Sequence, residues 1–168
     1  MNLIVLASGR GSRLNKITRD KPKCLIKIKN KKTIIDFISE NFFKKGNNII
    51  VTGYKSHLIV DHLKNLNVQF VKNKNYLKTN MVESLMLTKK KLRPGNIIIV
   101  YGDIYFDKKI LDKIKKIRGN IVPVNANWLK SWKKRYNTLK KIKNDAEDLK
   151  VSKEKIKNIG NKIEGKLP

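Results

Sequence analysis

Short apolar runs alternate with amphipathic stretches along most of this chain, and that alternation limits the possible folds more than any other feature. Leu3–Ala7, Asn48–Thr52, Val68–Val71, Asn96–Tyr101 and Ile121–Val124 read as strands. Runs this short and this apolar suit strands buried on both faces. Between them, Thr33–Lys45, Ser56–Asn65, Asn80–Lys91 and Lys108–Ile117 carry helical patterns. In the first, Ile34, Ile35, Phe37, Ile38 and Phe42 are apolar and Gly46 is a stop signal. In the third, Asn80 is placed as an N-cap with Glu83 three residues on, the spacing of a capping box. Strands separated by helices predict an α/β fold with a parallel sheet covered on both faces.

Past Pro123 the pattern changes. Trp128–Tyr136 is basic and aromatic, and Asp148–Val151 and Ile156–Gly160 can pair as a hairpin across Ser152–Lys155. Trp128 and Trp132 are spaced to pack together on the core side, with an aromatic cage for a quaternary ammonium as the alternative.

The length of 168 residues predicts one domain, long enough to bury a core. The formal net charge of +27 attracts polyanions: nucleic acid, an anionic membrane or a phosphorylated small molecule. Lysine far outnumbers arginine, so a coding bias with no polyanion partner accounts for the charge equally well. The lysines between Lys108 and Lys143 read as a solvated face in preference to a nucleic-acid groove. Cys24 is the one cysteine, which excludes an internal disulfide. No apolar run approaches the roughly 20 residues that span a bilayer, and no signal-peptide pattern opens the chain. A cytoplasmic protein without a membrane segment is the expectation.

The first strand runs into Ser8-Gly9-Arg10-Gly11-Ser12-Arg13, and Pro22-Lys23 follows. A dinucleotide loop would need a third glycine where Leu14 stands, and the Walker pattern is absent. The physics still suits phosphate: glycines let backbone N–H groups approach phosphate oxygens, Arg13 offers a fork of donors, and Lys23 a compact charge. A plain turn is the competing reading.

The segment Leu6-Ala7-Ser8-Gly9-Arg10-Gly11-Ser12-Arg13-Leu14, then Thr18 and Pro22-Lys23, resembles the signature of the nucleoside-triphosphate transferase superfamily. Val51-Thr52-Gly53-Tyr54, Asn80-Met81-Val82-Glu83-Ser84-Leu85, Tyr101-Gly102-Asp103 and Asp145–Lys150 follow in the family's order. Ser8 replaces the usual small residue, and Lys16 stands where the family often has proline. The resemblance implies a Rossmann-like three-layer sandwich with a mostly parallel sheet, the nucleotidyltransferase or GT-A-like fold, C-terminally short. It implies a single domain over 1–168, with a nucleotide-binding core at 1–125 and a partial acceptor-side region at 126–168. Because family members continue further and supply a second acidic metal ligand, this chain is expected to bind Mg·NTP but to be a weak catalyst.

The same resemblance implies an enzyme that moves a nucleoside monophosphate from an NTP to a phosphorylated small-molecule acceptor. It is closest to the phosphocholine cytidylyltransferase-like branch, so CTP and phosphocholine come first. A sugar 1-phosphate with another NTP, or a non-catalytic nucleotide- or RNA-binding module, are the alternatives. Arg13 and Lys23 are the implied catalytic residues. Leu6, Ala7, Gly9, Gly11, Ser12, Gly53, Asn80 and Ser84 are the implied nucleotide-binding residues, and Asp103 the implied Mg²⁺ ligand. For Asp103 the competing reading is a turn or helix cap, for Ser84 a solvated helix position, and for Tyr54 an exposed loop aromatic. His57 and His62 lack the spacing of a helical metal pair and read as surface residues.

Overall fold

The computed structural model describes residues 1–28, 31–43, 46–114, 116–164 and 167. They form two compact units, Met1–Lys113 and Ile114–Pro168. The division falls ahead of residue 125, the boundary expected from sequence.

In the first unit, β1 (Asn2–Ala7), β2 (Asn47–Thr52), β3 (Gln69–Lys72) and β4 (Ile97–Tyr101) form one sheet in the order β3-β2-β1-β4. All three pairings are parallel. The crossovers carry α1 (Ile34–Phe42), α2 (Ser56–Leu63) and α3 (Met81–Met86). This is the α/β, mostly parallel architecture expected. The chain steps from β1 through β2 to β3 on one side, then returns to place β4 on the other side of β1. That reversal makes a switch point at the carboxyl ends of β1 and β4, where open α/β sheets bind ligands.

One face of the sheet presents Leu3, Val5, Ala7, Ile50 and Val100 to Ile34, Ile35, Ile38 and Phe42 of α1 and to Ile59 and Leu63 of α2. Leu111 of α4 (Lys108–Ile114) and Cys24 join this core. Phe106 packs edge-on against Phe37 and Phe42, with centroids 5.4 and 6.0 Å away. Opposite, Ile4, Ile49 and Val51 are buried, and α3 packs on β1. Coverage there is incomplete: Ile97, Ile99 and Tyr101 of β4 are 48%, 47% and 45% exposed, against the expectation of a strand buried on both faces. At the amino ends of the strands a polar cluster closes the sheet. Asn47 donates to Asn2 Oδ1 at 2.8 Å and to the Lys91 carbonyl at 2.7 Å. Asn2 in turn bonds the main chain of Arg93 as donor and acceptor. Buried amides in this arrangement pin the return to β4 against β1 and β2.

Local chemistry explains the element boundaries. Thr33 caps α1 and shares a capping box with Asp36. The part of the expected helix at residues 44–45 lies outside the described residues. Asn80 caps α3 with Glu83, as expected. That helix stops at Met86 instead of running to Lys91, because the Thr88 hydroxyl and N–H both turn back to the Leu85 carbonyl at 2.7 and 3.0 Å. A short 3₁₀ turn, Lys89–Lys91, follows. Ile121–Val124 forms no strand. Pro123 has no N–H to donate, which removes a ladder bond from the middle of a four-residue run.

In the second unit, α5 (Trp128–Arg135) packs against α6 (Leu139–Asp145), a helix not foreseen from sequence. Thr138 caps α6, Ile142 is its one buried residue, and Arg135 reaches Asp145 at 3.5 Å. Trp128 and Trp132 meet edge-to-face with centroids 6.1 Å apart, each half-buried. The expected hairpin forms between β5 (Glu147–Ser152) and β6 (Lys155–Lys162). Lys153 and Glu154 both take positive φ at its turn, as a type I′ hairpin turn requires. Among the described residues no helix is long and apolar enough to cross a membrane.

Candidate active site

β1 delivers the chain to the switch point, and its last residues are already part of the site. Ala7 is buried and Leu6 half-buried, and the Leu6 carbonyl accepts the Gly102 N–H at 2.8 Å. This bond ties the loop after β4 to the end of β1. Gly102 cannot carry a side chain here, because a Cβ would lie 2.8 Å from Ala7 Cβ. Asp103 follows directly and so stands beside the glycine-rich loop.

Gly11 turns that loop with φ +68° in the left-handed region, leading into a 3₁₀ segment at Ser12–Thr18. The Gly11 carbonyl accepts from Thr18 Oγ1 at 2.9 Å and from the Leu14 N–H at 3.0 Å. A Cβ at Gly11 would lie 3.2 Å from Lys23 Cβ, so this glycine lets Lys23 pass close behind the loop. Nothing lies within 4 Å of a Cβ built on Gly9, whose side of the loop is open. Ser12 and Arg13 are exposed at the start of the 3₁₀ segment. Lys23, fixed by Pro22 at the head of a second 3₁₀ turn, extends its ammonium to Asp103 Oδ2 at 2.7 Å. Their side chains are 35% and 42% exposed. The strand order therefore brings together two of the charged residues singled out from sequence, 80 positions apart.

A second wall comes from the loop after β2. Gly53 lies under the first loop: its Cβ would be 2.6 Å from the Ser8 carbonyl and 2.8 Å from Tyr76 Cβ. The Tyr54 N–H donates to that same carbonyl at 3.0 Å. The Tyr54 ring has Arg10 and Lys55 at 5.7 and 5.9 Å from its centroid, and Tyr76 at 6.3 Å. α3 supplies the third wall. Asn80 is exposed, with its side chain accepting the Glu83 N–H. Ser84 is 2% exposed, and its hydroxyl meets Ser8 Oγ at 3.1 Å and Asn73 Nδ2 at 2.9 Å. Asn73 and Tyr76 escaped the sequence reading, since Asn73-Lys74-Asn75-Tyr76 looks like ordinary turn chemistry after a strand. His57 is exposed, and His62 pairs with Asp36 at 2.6 Å, away from this site.

Cys24, next to Lys23, is buried with the core. Loss of hydration on burial pushes its thiol up to about 12, with its own backbone hydrogen bond opposing and the nearby Asp103 charge adding. It is an inert packing residue at neutral pH.

Among the described residues no three His, Cys, Asp or Glu side chains cluster to hold a metal. Asp103 offers one hard carboxylate beside a loop suited to phosphate. That donor set does not make a closed zinc site. It fits Mg²⁺, which is commonly held by one or two carboxylates with substrate phosphates and waters filling its octahedron.

Residues 2–127 match the profile of a family described as nucleotidyl transferase. A CTP:phosphoglutamine cytidylyltransferase from Campylobacter jejuni is 35% identical over 172 residues, covering 96% of this chain and 66% of that protein. A choline-phosphate cytidylyltransferase from Streptococcus pneumoniae is 35% identical over 113 residues, covering 66% of this chain and 48% of that protein. Among solved structures, a CTP:phosphocholine cytidylyltransferase from Streptococcus pneumoniae superposes with a TM-score of 0.55 at 32% identity, over 61% of this chain and 44% of that one. The chain spans no more than about two thirds the length of these relatives.

Proposed function

Because the chain belongs to the nucleotidyl transferase family, we propose that it acts on an NTP, CTP first, and transfers the nucleoside monophosphate to a phosphorylated small molecule. The observation that carries this reading is the switch-point geometry: a glycine-rich loop after β1 and an aspartate after β4, joined by the 2.7 Å contact of Lys23 with Asp103. The reaction forms a bond between an acceptor phosphate oxygen and the α-phosphorus. It breaks the bond from the α-phosphorus to the bridging oxygen, whose electron pair leaves with pyrophosphate.

The chain's task is alignment and charge neutralisation. Backbone N–H groups of Gly9, Gly11 and Ser12 face the phosphates, and the Arg13 guanidinium grips them through paired donors. Lys23 neutralises charge at the α-phosphate. Asp103 would hold Mg²⁺, which when bound screens the phosphate oxygens and fixes the triphosphate's shape. Leu6, Ala7, Gly53 and Asn80 border the space for the nucleoside. Ser84 contributes from beneath, through Ser8. CTP is preferred because two of the relatives are named cytidylyltransferases. The region from 126 onward is assigned to the acceptor side. Phosphocholine is the first acceptor to test, with phosphorylated amides and sugar phosphates beside it.

A thermal-shift screen of the four NTPs, with and without Mg²⁺, tests the reading. A Mg-dependent rise selective for CTP is the expected outcome, by linkage of binding to stability. Absence of a shift with every NTP, together with RNA binding that weakens steeply with salt, would replace it with a nucleic-acid-binding function.

A further inference from the structure

We propose that Ser8 is a nucleotide-contacting residue, its hydroxyl hydrogen directed toward the ligand by a one-way hydrogen-bond relay from Asn73 through Ser84. The proposal rests on the reading above, and adds a residue to the same site.

The relay starts with an amide whose orientation is fixed. Asn73 is 3% exposed, and its N–H donates to the Thr52 carbonyl at the end of β2. The Asn75 N–H lies 2.9 Å from the Asn73 side-chain oxygen. A flipped amide would set two donors against each other there, so the oxygen faces Asn75 and Nδ2 faces the other way. Both Nδ2 hydrogens then have partners: Thr79 Oγ1 at 2.8 Å and Ser84 Oγ at 2.9 Å. Thr79 passes its own hydrogen to the Asn75 carbonyl at 3.0 Å.

Ser84 therefore accepts from Asn73 and must place its own hydrogen elsewhere. Its remaining partner among the described residues is Ser8 Oγ at 3.1 Å. In a site this buried, a hydroxyl hydrogen left unpaired is costly, so Ser84 donates and Ser8 accepts. Among the described residues the Ser8 hydrogen then has no acceptor. Ser8 is half-buried at the mouth of the loop, directly before Gly9, whose side is open. The hydrogen is a donor set for an oxygen of a bound nucleotide. An alanine or glycine at position 8 would lack it. Asn73 and Ser84 are positioning residues in this arrangement, since they act through Ser8.

Mg·CTP affinity, measured by titration calorimetry on the full chain, tests the relay in a double-mutant cycle of Ser8→Ala and Ser84→Ala, with melting temperatures recorded alongside. Ser8→Ala should weaken binding about fivefold, the loss expected for one uncharged hydrogen bond. Ser84→Ala should weaken binding by a similar factor. The double variant should bind no worse than Ser8→Ala alone, while its melting temperature falls below that of Ser8→Ala. A purely structural role for Ser84 would lower affinity equally whether or not the Ser8 hydroxyl is present. Wild-type affinity in Ser8→Ala, or additive losses in the double variant, overturns the relay while leaving the nucleotide site standing. If the wild-type chain binds none of the four Mg·NTPs, the site and the relay fall together.

Discussion

Lys23 Nζ and Asp103 Oδ2 sit 2.7 Å apart, so the cation that would neutralise an α-phosphate is paired with the carboxylate that would hold its metal. Both side chains are partly exposed, and such pairs contribute at most about 1 kcal/mol. The pair is weak enough to open when stronger partners arrive. A divalent cation approaching Asp103 alone competes with Lys23 for the carboxylate's charge, whereas a metal–nucleotide complex offers each member a replacement of opposite charge.

Lys23→Met should therefore act in opposite directions on two ligands. Mn²⁺, used as an electron-spin-resonance probe in place of Mg²⁺, should bind the nucleotide-free variant up to about fivefold more tightly, the equivalent of ~1 kcal/mol. Mg·CTP should bind more weakly, since a charge-assisted phosphate contact is lost. Equal Mn²⁺ affinity in both proteins would mean that the pair does not guard Asp103.

How much of this was legible from sequence depends on the range of the interactions. The strands β1, β2, β3 and β4, the Asn80–Glu83 capping box and the terminal hairpin follow from local pattern, and all are present. The residues around the glycine-rich loop were singled out through the family resemblance, since on local pattern alone a plain turn competes with a phosphate loop. The pairing of Lys23 with Asp103 was not, since it depends on the strand order β3-β2-β1-β4, which periodicity does not specify. Asn73 was hidden for the same reason: one of its hydrogen bonds reaches back to Thr52, and another reaches on to Ser84. Helix α6 was hidden by composition. Leu139–Asp145 has a single buried residue, Ile142, and reads as a charged connector.

Gly53→Ala tests the fit between the first loop and the loop after β2. The added methyl would come within 2.6 Å of the Ser8 carbonyl and 2.8 Å of Tyr76. One contact is backbone and the other the root of a ring, so neither gives way easily. A destabilisation of about 1–3 kcal/mol is expected, as for other overpacked sites. Nucleotide affinity should fall with it, because Ser8 must move. Urea denaturation and calorimetry on the same variant check both; unchanged stability would show that the loops are not in contact as described.

Cys24 gives a reporter of opening at the site's floor. It is buried, with its thiol pushed up to about 12, so little thiolate exists at pH 8 and no reagent reaches it in the folded chain. Modification by a colourless-to-coloured disulfide reagent should follow the rate at which this region unfolds. It should be complete at once in denaturant and slowed further by Mg·CTP. A fast native-state reaction would contradict the burial.

The contact between Asp36 and His62 makes a prediction in pH. Burial by itself would raise the Asp36 carboxyl, but it is outweighed by hydrogen bonds from the Thr33 N–H, from His62 and from the Thr33 hydroxyl, and the net shift is downward. The distances are 2.8 Å to Thr33 N, 2.8 Å to Thr33 Oγ1 and 2.6 Å to His62 Nε2. A carboxyl whose folded pKa lies below its unfolded value binds its proton more readily when unfolded. Its stabilising contribution is thus full above the unfolded value, near about 4, and is lost as pH falls through the lower folded value. At pH 7, Asp36→Asn should lose roughly 0.5–2 kcal/mol, the range for a damaged helix N-terminus. As the pH is lowered below about 4, the wild-type chain should lose stability faster than the variant, and the gap between them should close. Urea titrations of both proteins from pH 7 to pH 3 measure this directly. Parallel curves across that range would show that the Thr33 and His62 bonds do not hold the carboxylate in its charged form.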